Sequence, residues 1–293
     1  MSDYKFSLGI ISYNQADDVT HEFFRDLSFF IKNSMHEVEI LYCDNGSTDE
    51  NHGKFLTFAD NYGLDFKDLS FKFNQGAGYA FDKVLRTAKG ELFQFLCMDD
   101  RLNFSNLIKL LNDMMLDSTL DVGISNSVIV SRYGLDKHIN CEKILECTGI
   151  FESKALHQFY SLELYSYKDN LIYSTWRRKA LIARKNELEK MLNKSNLMIG
   201  GLLLPWYFWL LNVYVFSSTI LIKRYKKFSP SSLITRLHHK YNRNQNCESR
   251  HENTFEQVNS YNNFTLVLNK FIEDSIERKK LCELVKKNHN LCA

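Results

Sequence analysis

A surplus of one charge is missing from this chain: across 293 residues, 37 Lys and Arg stand against 35 Asp and Glu, a formal net charge of +2. No global field therefore draws it to nucleic acid, which is not an expected partner. A cysteine framework is missing too. Cys43, Cys97, Cys141, Cys147, Cys247, Cys282 and Cys292 make an odd set with no Cys-x-x-Cys spacing. That argues against a disulfide scaffold or a thiolate zinc site and for reduced thiols in a cytoplasmic protein. The opening MSDYKFSLGIISYN has no basic segment ahead of a cleavable apolar run, so secretion is not expected. No internal repeat is visible, and proline occurs only at Pro205 and Pro230. What is present in quantity is core material. With 44% hydrophobic and 14% aromatic residues, the chain suits one large domain or two intimately joined ones.

Over the first 130 residues two periods alternate. Phe6–Ser12, Val38–Cys43, Leu69–Phe73, Leu92–Cys97 and Val122–Val130 are short apolar runs rich in β-formers. Between them Asp17–Lys32, Asp49–Asn61, Ala77–Thr87 and Phe104–Leu116 have helical spacing. This alternation predicts βαβ units and an α/β fold with a mostly parallel sheet flanked by helices. Ligands of such sheets lie at the carboxyl ends of the strands, and the polar clusters fall there. They are Tyr13-Asn14 after the first strand, Asp44-Asn45-Gly46-Ser47-Thr48-Asp49 after the second, and Asp99-Asp100 after the fourth.

Each cluster has a plain reading beside a chemical one. Ser47, Thr48 and Asp49 suit the cap of the next helix, while Asp44 and Asn45 suit hydrogen bonds to a nucleotide base or ribose. Asn74, Gly76 and Gly78 form an elbow entering the helix Ala77–Thr87, where glycine lets a ligand approach the backbone. Asp99 and Asp100 end a buried strand as adjacent like charges. They either surface into solvent or grip Mg²⁺ or Mn²⁺, which takes one or two carboxylates and fills its shell with phosphate oxygens.

In order and spacing, SLGIISYN, ILYCDNGSTDE and NQGAGYAFDKVLRTAKGELFQFLCMDD resemble the nucleotide-sugar domain of family 2 glycosyltransferases. That family has the Rossmann-like GT-A fold. The resemblance covers roughly residues 5 to 130 and implies sugar transfer from a nucleotide-diphosphate sugar, a UDP-sugar foremost. The acceptor it implies is a hydroxyl of a glycan or lipid-linked oligosaccharide, with inversion, in bacterial surface-polysaccharide synthesis. Carried over by position, it implies a nucleotide-sugar site of Ile11, Ser12, Tyr13, Asp44, Asn45, Asn74, Gly76 and Asp99. Tyr13 would pack at the base, and Asp44 and Asn45 would bind base or ribose. Asp99, with Asp100 beside it, would hold Mn²⁺ or Mg²⁺. The chain departs from the pattern at Ile11, where Pro or Thr is usual, at Asn45 in place of a second Asp, and at Cys97, where the first carboxylate of Asp-x-Asp-Asp is expected.

The second half is less regular. The family's acidic base, often in a Glu-Asp pair, has no counterpart in NLMIGGLLLPWYFWLL; the nearest candidates by sequence are Glu152, His157, Glu163 and Asp169. An uncharged stretch runs from Gly200 to Ile222. It is long enough for a bilayer, which takes about 20 apolar residues, yet Pro205, Asn212 and the β-branched run from Val213 suit a buried helix followed by a buried strand equally well. Lys223–Lys227 beside this aromatic segment suits peripheral contact, through residues 206–227, with an anionic membrane at the inner face. These features divide the chain into a nucleotide-sugar core at 1–130, a helical and aromatic acceptor region at 131–240, and a C-terminal helical segment at 241–293. A non-catalytic nucleotide-sugar-binding module and an enzyme anchored through 200–222 are the alternatives.

Overall fold

The computed structural model describes residues 5–131, 137–139, 173–192 and 213–225, together with Ile276, Lys279 and Glu283. Strands β1 (Phe6–Ser12), β2 (Val38–Asp44) and β4 (Leu92–Cys97) are buried along nearly their whole length. A strand covered on both faces has no solvent side to mark with polar residues, which is why these read as unbroken apolar runs.

On one face, Phe6, Leu8 and Ile10 join Phe23, Phe24, Leu27 and Phe30 of α1 (His21–Asn33) and Leu107, Leu110 and Leu111 of α4 (Phe104–Leu116) in one core. Helix α2 (Asn51–Asn61) adds Phe55, whose ring stacks on Tyr42 with centroids 3.5 Å apart. The opposite face of β1 meets α3 (Ala77–Thr87) so closely that a Cβ on Gly9 would sit 2.4 Å from Val84 Cγ1. Helix α5 (Arg178–Leu192) packs beside α3.

The strands run in the order β3-β2-β1-β4-β8-β6-β9-β5, with β3 at Lys67–Asp68, β5 at Arg101–Leu102, β6 at Val122–Ser131, β8 at Thr175–Arg177 and β9 at Val213–Tyr225. Strand β7 (Lys137–Ile139) pairs with β6. From β3 to β4 all pairings are parallel, as the βαβ alternation predicts. Beyond β4 the sheet is mixed: β8 joins β4 and β6 antiparallel, β9 runs parallel to β6, and β5 pairs with β9 antiparallel.

Three local expectations change. The strand expected over Leu69–Phe73 is only Lys67–Asp68, followed by an isolated bridge from Phe71 to Asn45. Asp68 Oδ1 accepts from the Ser70 backbone N–H at 2.9 Å, an Asx turn that interrupts the strand, while Leu69 N and Phe71 N still donate to Tyr42 O at 2.7 Å and Asp44 O at 2.8 Å. The helix expected over Asp17–Lys32 is split into a 3-10 turn (Ala16–Asp18) and α1, which starts behind Thr20, whose Oγ1 accepts from Phe23 N. Finally, Val213–Ile222 belongs to β9, paired with β6 from Val122 opposite Val213 onward, with register shifts on either side of Asn126. A single spanning helix over 200–222 is therefore corrected: its second half, rich in β-branched residues, is sheet. Residues 200–212 lie outside the described residues, among which no helix is long and apolar enough to cross a membrane.

Candidate active site

The strand order reverses about β1, with β2 and β3 on one side and β4 on the other. In an open α/β sheet a crevice opens at that point, outside the carboxyl ends of the strands. Register sets the exits level. Ile11 lies opposite both Cys43 and Cys97, and Ser12 opposite Asp44. Asn45 N donates to Ser12 O at 2.9 Å and Met98 N to Ile11 O at 3.1 Å, so the ladder continues into both loops.

At the first two exits the polar residues are largely engaged with each other. Asp44 is 3% exposed. Its Oδ2 accepts from Ser47 N at 2.8 Å; its Oδ1 accepts from Asn51 Nδ2 at 2.7 Å, from Ser12 Oγ at 3.3 Å and from Ser47 Oγ. Asn51 Nδ2 also donates to Ser12 Oγ at 2.7 Å. Burial holds the Tyr42 phenol, 3.1 Å from Ser12 Oγ, well above its usual range, so it stays protonated among these partners. Asn14, at φ 52°, accepts through Oδ1 from Thr48 N at 2.8 Å and donates its own N–H to Ser47 Oγ at 2.8 Å. Ser47 and Thr48, expected as helix caps, thus stitch two loops together. Asp49 alone serves α2, accepting from Asn51 N at 3.0 Å. Tyr13, beside them, is 43% exposed.

The elbow before α3 is tied to the same edge. Asn45, buried, donates Nδ2 to Asn74 Oδ1 at 3.0 Å and accepts through Oδ1 from Gln75 N at 3.1 Å. Asn74 Oδ1 also accepts from Gly76 N at 2.7 Å. Gly76 caps α3 at φ 87°. Gly46 sits at φ +72° against Phe73, where a Cβ would fall 2.2 Å from the carbonyl carbon. Only glycine permits both that angle and that approach.

The acidic turn follows β4. Asp100 N donates to Cys97 O at 3.0 Å, closing a turn that buries Asp100 to 5% exposure and leaves Asp99 part-exposed. Arg101, the residue after the two carboxylates, reaches back to the backbone. Its Nη1 donates to Met98 O at 2.9 Å and Asp100 O at 2.8 Å, and its Nη2 to Asp18 O at 3.2 Å. The guanidinium lies 5.0 Å from the Phe23 ring. One buried cation therefore clamps the turn to the start of α1 and helps the fold tolerate two adjacent carboxylates.

The structure adds a residue that sequence reasoning missed. Tyr173, just ahead of β8, donates its hydroxyl to Cys97 Sγ at 3.1 Å. Burial first, then the charges of Cys97, Asp100 and Asp99, push its phenol well above the usual range. Two adjacent carboxylates, Asp99 and Asp100, are what a divalent cation would neutralise at this turn. Among the described residues no group of three or more His, Cys, Asp or Glu forms a protein-only cage. The donor set at hand, one part-exposed and one buried carboxylate, fits a hard cation that completes its shell with diphosphate oxygens. Glu152, His157, Glu163 and Asp169 lie outside the described residues, as does most of 206–227 other than β9. The signal for Tyr173 was faint: a three-residue strand ahead of a helix, far along the chain from Cys97.

Comparison with known proteins bears on this site. A model described as "Glycosyl transferase family 2" matches residues 7–168, more than half of the chain. The Escherichia coli UDP-Glc:alpha-D-GlcNAc-diphosphoundecaprenol beta-1,3-glucosyltransferase WfgD is 29% identical over 156 residues, which cover 51% of this chain and 58% of that protein. The match thus spans under two thirds of that relative. Among solved structures, S. aureus TarS 1-349 aligns at a TM-score of 0.51 and 14% identity, covering 98% of this chain and 90% of that one, a likeness of fold. The strand exits and glycine elbow read from the sequence fall within the matched region, and this chain belongs to glycosyl transferase family 2.

Proposed function

We propose that the chain transfers a sugar, with inversion, from a nucleotide-diphosphate sugar to a hydroxyl of a glycan or lipid-linked acceptor. The observation that carries this reading is the convergence of Tyr13, Asp44–Asn45, Asn74–Gly76 and Asp99 at the one sheet edge where the strand order reverses. Tyr13, exposed there, packs at the base. Asp44 faces the ribose through Oδ2, which takes a single hydrogen-bond donor among the described residues, and Asn45 with Asn74 shapes the elbow along the nucleotide. Asp99, with Asp100 behind it, holds the divalent cation. That cation supplies charge neutralisation for the leaving diphosphate. Arg101 keeps the turn rigid, so that the carboxylates need little reorganisation when the donor binds.

A UDP-sugar donor and a lipid-linked acceptor are supported by the likeness to the E. coli glucosyltransferase, whose name specifies UDP-Glc and a diphosphoundecaprenol-linked sugar, and surface-polysaccharide synthesis is the setting this reading gives them. Residues 131–240 form the acceptor region in this reading, although β8 and β9 also complete the sheet. The contact with the inner face of the cytoplasmic membrane falls on the basic and aromatic residues of 206–227 outside β9, since Ile220 and Leu221 are buried in the sheet; 241–293, read from the sequence as a helical segment, lies outside the described residues apart from Ile276, Lys279 and Glu283. The acceptor's proton goes to a base from the acceptor region, with Glu152, His157, Glu163 and Asp169 the candidates for substitution.

The test is transfer and hydrolysis across a panel of nucleotide sugars with Mn²⁺, comparing wild type with Asp99→Asn. Metal-dependent turnover should fall by about two orders of magnitude or more in the variant, as for a group stabilising developing charge. Unchanged metal-dependent turnover in Asp99→Asn sinks the assignment of the metal. One feature favours a second reading: Cys97 stands where the family carries a carboxylate. Metal-dependent nucleotide binding without turnover of any donor would make the chain a binding module.

A further inference from the structure

Antiparallel pairing between β4 and β8 brings a distant segment to the acidic turn. Trp176 lies opposite Phe93, the Thr175 hydroxyl donates to Gln94 Oε1 at 2.7 Å, and the Tyr173 hydroxyl donates to Cys97 Sγ at 3.1 Å. Each step back along the later segment moves one step nearer the carboxyl end of β4. The Tyr173 ring packs against the main core, so this side chain joins the core to the turn that carries Asp99 and Asp100.

A hydroxyl in that place asks for an explanation. A thiol sulfur is a weak acceptor, so the bond contributes little to stability, and phenylalanine would fill the same core space. A neutral phenol beside two carboxylates instead suits the geometry of the turn. It donates without adding charge, and it holds the last residue of β4 in place where the family pattern has a carboxylate. A phenol is a neutral O–H donor at physiological pH without any help from its surroundings.

We propose that Tyr173 is a positioning residue for the acidic turn: through Cys97 it fixes the end of β4 and so sets Asp99 for the divalent cation and the donor diphosphate. The inference rests on the metal-assisted reading above. Tyr173 acts on the cation through the carboxylate turn, as outer-shell partners orient the residues that ligate.

The experiment measures Mn²⁺ binding in the presence of UDP by electron paramagnetic resonance, alongside KM, kcat and thermal unfolding, for wild type, Tyr173→Phe, Cys97→Ala and the double variant. Tyr173→Phe should lower Mn²⁺ affinity about tenfold while its unfolding midpoint stays near that of wild type. Cys97→Ala, which removes the acceptor, should give a similar loss, and the double variant no further one, since both changes break one contact. Wild-type affinity in both single variants, or strictly additive losses in the double variant, overturns the proposal while leaving the metal-assisted reading in place. If wild type itself binds no Mn²⁺ with UDP, that reading falls and the role of Tyr173 with it.

Discussion

Asn51 and Asp44 meet inside the protein: Nδ2 of Asn51 lies 2.7 Å from Oδ1 of Asp44, with Asn51 fully buried and Asp44 at 3% exposure. Asn51 opens α2 and Asp44 ends β2, and the same amide reaches Ser12 at the end of β1. One neutral side chain thus ties two strands and a helix together at the crevice. It does so by donating to a carboxylate that burial would otherwise penalise.

Replacing that amide should be costly. Asn51→Leu strips a donor from a buried charged acceptor and should destabilise the fold by about 2 to 3 kcal/mol, read as a lowered urea midpoint at unchanged slope. Asn51→Asp should be worse still, because it sets two carboxylates at hydrogen-bond distance. Wild-type stability in Asn51→Leu would show that the network does not carry the edge.

The two positive-φ glycines of the site should respond differently to alanine. At Gly46 the new Cβ would meet the Phe73 carbonyl carbon at 2.2 Å, whereas at Gly76 nothing lies within 4 Å. Gly76→Ala should cost the backbone strain alone, about 1 to 3 kcal/mol. Gly46→Ala should cost more, since backbone must also move, and nucleotide binding should weaken with it. Equal stability losses in the two variants would contradict the packing described at Gly46.

Alkaline lability is expected from Cys43. Burial pushes this thiol up from its ordinary 9.0 to about 12, so the folded state favours the neutral form. For a group raised on folding, the stabilisation is complete below the unfolded value and is lost as pH rises through the folded one. Unfolding free energy should therefore decline between about pH 9 and pH 12, by up to about 1.4 kcal/mol per pH unit from this one proton. Cys43→Ala should reduce that slope, and alkylation of Cys43 at pH 8 should require unfolding. Rapid modification of the native protein at Cys43 would refute the burial.

An ion cluster joins α3 to α5. Lys185, 1% exposed, places Nζ 2.7 Å from Asp82 Oδ1 and also pairs with Glu189, while Arg86 bonds both acids at 2.9 Å. Lys185→Met leaves buried carboxylate charge with one cation fewer and should cost about 3 kcal/mol. Adding Asp82→Asn should recover part of the loss, a non-additive cycle read by thermal or urea unfolding. Because α3 begins at the Gly76 elbow and α5 follows the Tyr173 segment, KM for the donor should rise in Lys185→Met.

Much of the fold was legible locally. Phe6–Ser12, Leu92–Cys97, Ala77–Thr87 and Phe104–Leu116 have the bounds that apolar periodicity predicts, and β2 extends its expected run by one residue. Buried strands and amphipathic helices write their burial into their own residues, so a window of about 11 to 18 residues suffices. Expectation failed where a side chain competed with the pattern, as Asp68 does in accepting from Ser70 N, so that the expected strand is reduced to Lys67–Asp68 and a bridge at Phe71.

The sequence by itself determined which residues stand at the strand exits, because strand ends, glycines and carboxylates are marked locally. Only the tertiary structure decided what those residues touch. It engaged Asp44 with Ser12, Ser47 and Asn51, turned Arg101 back onto the backbone of the acidic turn, and brought Tyr173 to Cys97 across 76 positions. The physical reason is that these partners meet through strand register and helix packing. No periodicity within either segment encodes which distant segment will lie alongside it.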